Sequence, residues 1–98
     1  MKNDDCYEVY AIRYAYHKRR ASENFLGGDP HDDWMPMDYF IWLVRNRQRT
    51  VVVDTGFNAQ AARRRKRSYL RSPAAGLKLL GVDAANVGHV ILTHLHYD

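Results

Sequence analysis

Residues 90–98 read VILTHLHYD, and how they are read decides the fold. An apolar run, Val90-Ile91-Leu92, leads directly into three side chains that bind metals: His94, His96 and Asp98. In an extended backbone, side chains two apart point to the same side, so both imidazoles can reach one metal ion. Asp98 continues the alternation and adds a carboxylate oxygen. Zinc accepts nitrogen and oxygen ligands of these kinds, and a catalytic zinc keeps one position for water beside about three protein ligands. An isolated H-x-H is often no more than two histidines on the polar face of an edge strand. Here it follows a strand that reads as buried, which puts the ligands at a strand's C-terminal end, where sites in α/β folds gather.

Upstream, residues 50–56 (TVVVDTG) show the same design, a β-branched run closed by Asp54, Thr55 and Gly56, where glycine permits a sharp turn. Before it, residues 38–45 (DYFIWLVR) read as a mostly buried strand, and Asn46-Arg47-Gln48 make a polar turn between the two, which predicts a hairpin. Residues 7–16, dense in aromatic and β-branched side chains, read as a first strand. A long loop with Gly27-Gly28, Asp29-Pro30 and Met35-Pro36 connects them. After Gly56 the texture becomes helical. Asn58 is a plausible N-cap for a helix over residues 59–69. Ser72-Pro73 opens and Gly81 closes a second helix over residues 74–80, and residues 83–86 suit one short turn. Residues 87–93 then return to a buried strand.

Length and composition narrow the class. A chain of 98 residues holds one small domain, and 46% apolar with 27% charged residues excludes a disordered or fibrous protein. The N-terminus, MKNDDCYEVY, has no secretory signal pattern, and no apolar run is long enough to span a membrane. Cys6 is the only cysteine, so no intrachain disulfide forms and a reducing cytoplasm is the expected compartment. The net charge of +4 is concentrated in Arg63, Arg64, Arg65, Lys66 and Arg67; without that block the chain is near neutral. Such a run reads first as a solvated helix face and only second as a small basic module that binds polyanions. Nucleic acid is therefore not an expected partner, and the oligomeric state is not readable.

TVVVDTG followed by VILTHLHYD resembles the metallo-β-lactamase-fold hydrolases, whose motif is H-x-H-x-D-H. The aromatic residue before Asp98, together with residues 22–44 (SENFLGGDPHDDWMPMDYFIWLV), looks more specifically like the N-acyl homoserine lactonase-like branch. The resemblance implies an α/β fold, the first half of an αββα sandwich with a mixed sheet and covering helices, so that residues 1–98 would be the N-terminal part of a single domain interrupted within the motif. It implies two zinc ions. His94 and His96 would bind the first; Asp98 would bind the second and act catalytically on the bridging water. Asp54 would steady the histidine-bearing loop. The implied substrate is a small lactone or ester, with a thioester of the glyoxalase II type as the nearest alternative.

Other candidates carry less. Trp34, Met35 and Met37 could wall an acyl chain, since binding sites are largely apolar, although core packing accounts for them equally well. His31 among Asp29, Asp32 and Asp33 is better explained by turn formation than by a second metal cluster. His89 reads as structural, and His17 beside Lys18-Arg19-Arg20 reads as a solvated strand end. Cys6 has no neighbour in sequence that would make it reactive.

Overall fold

The computed structural model describes residues 6–19 and 36–94. Five strands, β1 (Glu8–His17), β2 (Met37–Arg45), β3 (Thr50–Val53), β4 (Ser68–Tyr69) and β5 (His89–Ile91), form one sheet in the order β4-β1-β2-β3-β5. Helix α1 (Ala59–Arg64), helix α2 (Pro73–Leu79) and a single 3-10 turn (Ala84–Asn86) lie between β3 and β5. The sheet is mixed. β1, β2, β3 and β4 pair antiparallel, whereas β5 runs parallel to β3, with Val51, Val52 and Val53 opposite His89, Val90 and Ile91. A parallel neighbour needs a crossover, and the helical segment supplies it.

The expected hairpin forms. Asn46 turns the chain by accepting the Gln48 and Arg49 amides at 2.9 and 2.8 Å, which fixes the register that sets Trp42 opposite Val53. Burial on β2 alternates: Tyr39, Ile41 and Leu43 are buried, while Phe40 and Trp42 on the other face are each 39% exposed. The mostly buried strand expected over residues 38–45 is therefore buried on one face, the face that the helices cover among the described residues. β5 also departs from the expected burial. It is a three-residue strand, exposed throughout, with β3 as its only sheet neighbour among the described residues.

The buried face is held by Ile12, Ile41, Leu43 and Val52 from the sheet and by Phe57, Ala62 and Leu77 from the segment above it. A bulge between Arg13 and Ala15 turns both Tyr14 and Ala15 inward, where strict alternation would expose one of them. Tyr14 then meets Phe57 edge-on at 5.1 Å between ring centroids, and Phe57 meets Tyr39 at the same distance. Pairs of this kind add about 0.5–1.5 kcal/mol each beyond their area burial. They anchor the chain just after Gly56.

Both helices start at the predicted caps. Asn58 Oδ1 accepts the Ala61 amide at 2.9 Å and Ser72 Oγ accepts the Ala75 amide at 3.0 Å. Both end in the same way, with the second residue past the cap donating back into the helix: Arg67 N to Ala62 O at 2.8 Å and Val82 N to Leu77 O at 3.0 Å. This motif needs a left-handed residue. Gly81 fills that position in α2 at φ 78°, and Lys66 fills it in α1 at φ 56°. The first helix therefore stops at Arg64, not at Tyr69, and the chain continues into the short strand β4 beside β1. Among the described residues, no helix is long and apolar enough to cross a membrane.

Candidate active site

The parallel pairing of β3 and β5 sets two strand ends side by side. Asp54 N still donates to Ile91 O at 2.7 Å, and the backbone then breaks away, with Asp54 at φ 64° and Gly56 at φ 74°. A non-glycine residue in the left-handed region costs free energy and is held there by its surroundings, a condition that clusters at functional sites. Gly56 has a second constraint. A Cβ built on it would lie 2.8 Å from Tyr14 Cζ and 3.0 Å from Pro73 Cγ, so the sharp turn and the close approach both require glycine.

The turn aims the Asp54 carboxylate across to the end of β5. Oδ1 accepts the Thr93 amide at 2.9 Å, and the Thr93 hydroxyl lies 2.9 Å from Oδ1 and 2.8 Å from Oδ2. The Thr93 amide hydrogen bond holds Asp54 below its ordinary pKa of 3.8, aided by the Thr93 hydroxyl and the nearby His94 and opposed by partial burial. Asp54 is thus an anion at neutral pH.

The next contact follows from hydrogen-bond polarity. An ionised carboxylate only accepts, so the single hydroxyl proton of Thr93 goes to Asp54. Thr93 Oγ1 is 3.1 Å from His94 Nδ1 and can serve there only as the acceptor. In the neutral imidazole this places the proton on Nδ1 and the lone pair on Nε2, and a neutral imidazole nitrogen with a fixed tautomer is the form in which histidine binds metals. The described part of the site thus holds one nitrogen donor of the expected ligand set, His94.

Asp54 and His94 are brought together through Thr93, a residue that the sequence reading did not single out. A hydroxyl immediately before a candidate ligand was the available cue. Met37 opens β2 opposite His17 and is exposed; it stands four residues beyond Ile41, roughly 13 Å further along the strand. His96, Asp98, Trp34, Met35 and the residues around His31 lie outside the described residues. Among the described residues, no three His, Cys, Asp or Glu side chains group as a metal site. Asp54 and Thr55 also rim a cavity of about 270 Å³ between the sheet and α2, walled by Ile41, Val52, Leu77 and Val90.

No curated protein matches the chain. The family model described as the metallo-beta-lactamase superfamily matches residues 34–98, more than half of the chain and the portion that carries β2, β3, the crossover, β5 and the histidine motif. With a mixed sheet, helices on one face and a carboxylate-braced histidine loop at the strand ends, the chain belongs to the metallo-beta-lactamase superfamily, a family built on a hydrolase fold.

Proposed function

We propose that this chain is the N-terminal part of a metal-dependent hydrolase domain that opens lactones or related esters. The observation that carries the reading is the Asp54–Thr93–His94 relay, in which Asp54, 39 positions before Thr93, holds the hydroxyl that sets the His94 tautomer. His94, His96 and Asp98 would hold zinc, together with the ligands that follow the H-x-H-x-D pattern in the superfamily. When bound, zinc would polarise the ester carbonyl and supply hydroxide near neutral pH. Asp54 keeps Thr93 and His94 from rotating. Asp98 would orient the attacking water and move its proton to the leaving alkoxide. Trp34, Met35 and Met37 would face the acyl portion. The lactonase-like features around residues 22–44 favour a cyclic ester over a glyoxalase II-type thioester.

The test uses a polypeptide in which the remaining superfamily ligands follow Asp98. Asp54→Asn should lower activity about 10–100-fold at limiting zinc, the usual cost of losing a carboxylate behind a metal ligand, and excess zinc should partly restore it. His96→Ala removes a ligand outright and should not be rescued. Comparing kcat/KM for an N-acyl homoserine lactone and a glutathione thioester decides the substrate. Full activity of Asp54→Asn at limiting zinc would reduce Asp54 to a turn former and remove the basis of the proposal.

A further inference from the structure

The turn of residues 54–56 runs between two fixed points. At one end Asp54 N donates to Ile91 O at 2.7 Å, and at the other Phe57 is buried against the rings of Tyr14 and Tyr39. Of the residues that carry the chain across, Asp54 and Gly56 are left-handed, and Thr55 between them is exposed. Glycine adopts that conformation freely, whereas an aspartate has to be held in it. What holds Asp54 therefore decides whether its carboxylate meets Thr93.

The wall behind Gly56 comes from the bulge in β1. Among the described residues, the atoms nearest to a Cβ on Gly56 would be Tyr14 Cζ at 2.8 Å, Pro73 Cγ at 3.0 Å and Tyr14 Cε1 at 3.1 Å. Tyr14 supplies one half of this wall and places the other. Its ring turns inward at the bulge, and its carbonyl accepts the Leu70 amide at 2.8 Å and the Arg71 amide at 3.3 Å. The Arg71 guanidinium also donates to the Arg13 carbonyl at 2.6 Å. The segment leading into α2 is thus tied to β1 immediately before Ser72 and Pro73, and the fixed φ of proline sets its ring against the turn. Bulges beside functional sites commonly re-aim a side chain in this way.

We propose that Tyr14 and Pro73 are positioning residues for His94: by backing Gly56 they keep Asp54 in the left-handed form from which its carboxylate holds the Thr93 hydroxyl. The inference rests on the reading of Asp54, Thr93 and His94 as the support of a metal ligand. It adds that this support begins on β1 and at the start of α2, outside the strand ends that carry the site. If Tyr14 and Pro73 only filled the core, their loss would lower stability and leave the imidazole proton where it is. If they position the turn, their loss redistributes that proton between Nδ1 and Nε2.

The test uses the metal-free 98-residue chain with isotope-labelled histidine. Spectra are taken at about pH 8, where an ordinary imidazole is neutral. Long-range proton–nitrogen correlation separates the two tautomers, and His94→Gln assigns the signal. A hydrogen bond of ordinary net strength biases two tautomers by about two- to tenfold, so the unmodified chain should show His94 with Nδ1–H in excess. Pro73→Ala keeps the Ser72 cap and removes the Cγ contact. It should lower the ratio of Nδ1–H to Nε2–H by at least about twofold and displace the Thr93 amide resonance. Tyr14→Leu should do the same, whereas Tyr14→Phe retains Cζ and Cε1 and should keep the ratio. Ala62→Gly loosens the core from α1 and should also keep it. An unchanged ratio in Pro73→Ala and Tyr14→Leu would overturn the proposal and leave the relay standing. An equal fall in Ala62→Gly would overturn it too, because the ratio would then follow general loosening. Nε2–H in excess in the unmodified chain would overturn the relay itself, and with it the support for the proposed function.

Discussion

Gly56 and Gly81 offer a controlled comparison, because their backbones are nearly the same and their surroundings differ. Both are left-handed, at φ 74° and 78°. Alanine at either position incurs the left-handed penalty of about 1–2 kcal/mol. A Cβ at Gly81 meets nothing within 4 Å, so Gly81→Ala should cost that penalty and no more. At Gly56 the Cβ would press on Tyr14 Cζ at 2.8 Å and on Pro73 Cγ at 3.0 Å. The Tyr14 ring is only 1% exposed and is flanked by Phe57 and Tyr69, so it has no empty space to move into. Overpacking of this kind typically adds about 1–3 kcal/mol. Gly56→Ala should therefore destabilise the protein by about 2–5 kcal/mol, a large share of the roughly 5–15 kcal/mol available to a domain. Urea titration followed by circular dichroism measures both. With a slope near 1 kcal/mol/M for a small domain, the two midpoints should separate by about 1–3 M. Equal losses at the two glycines would refute the close packing of the Asp54 turn against Tyr14.

Lys66→Gly should stabilise the protein by about 1 kcal/mol, because it relieves a left-handed lysine without removing a described contact; a lower urea midpoint would contradict the helix-end geometry. The Asp54–Thr93 contact predicts a pH dependence. A depressed folded-state pKa means that its stabilisation is complete above 3.8 and is lost as the pH falls through the lower folded value, so the Thr93 amide resonance should titrate with a midpoint below 3.8. A midpoint at or above that value would show that the carboxylate does not hold the amide. The sheet face carrying Val9, Phe40, Trp42 and Ile91, exposed by 39% or more, should make the 98-residue chain bind hydrophobic dyes and associate in size-exclusion chromatography; Trp42→Lys should reduce both, and a dye-silent monomer would count against the exposed face.

What the sequence shows most clearly is whatever is local and chemically specific. Asn58, Ser72, Pro73 and Gly81 mark helix boundaries through side-chain hydrogen bonds and backbone preferences that belong to single residues, and each holds. The stop of α1 was not legible, since Lys66 takes a conformation normally filled by glycine and nothing in its side chain announces it. Burial was misjudged on β2 and β5 for a different reason. Runs such as residues 40–44 and 90–92 are apolar on both faces, and such a pattern cannot reveal whether a second layer is present. At the candidate site, Asp54 and His94 were visible as residue types at strand ends. Thr93 was not, because its role depends on a parallel register that brings position 54 and position 93 together.

That register also orders events in time. Val53 and His89 are the near ends of the β3–β5 ladder, and the chain between them has to be closed before either strand gains anything from the other. Loop closure of this length costs on the order of 3 kcal/mol in chain entropy, whereas the β2–β3 hairpin closes through a four-residue turn almost at once. β5 should therefore dock last during folding and detach first in native-state hydrogen exchange, with its amides opening well below the global unfolding free energy. The histidine tautomer would then be set only in molecules whose sheet is already assembled. A nascent or partly opened chain would present His94 without its brace, so the orientation of that histidine is acquired late in folding and is not a property of the motif by itself.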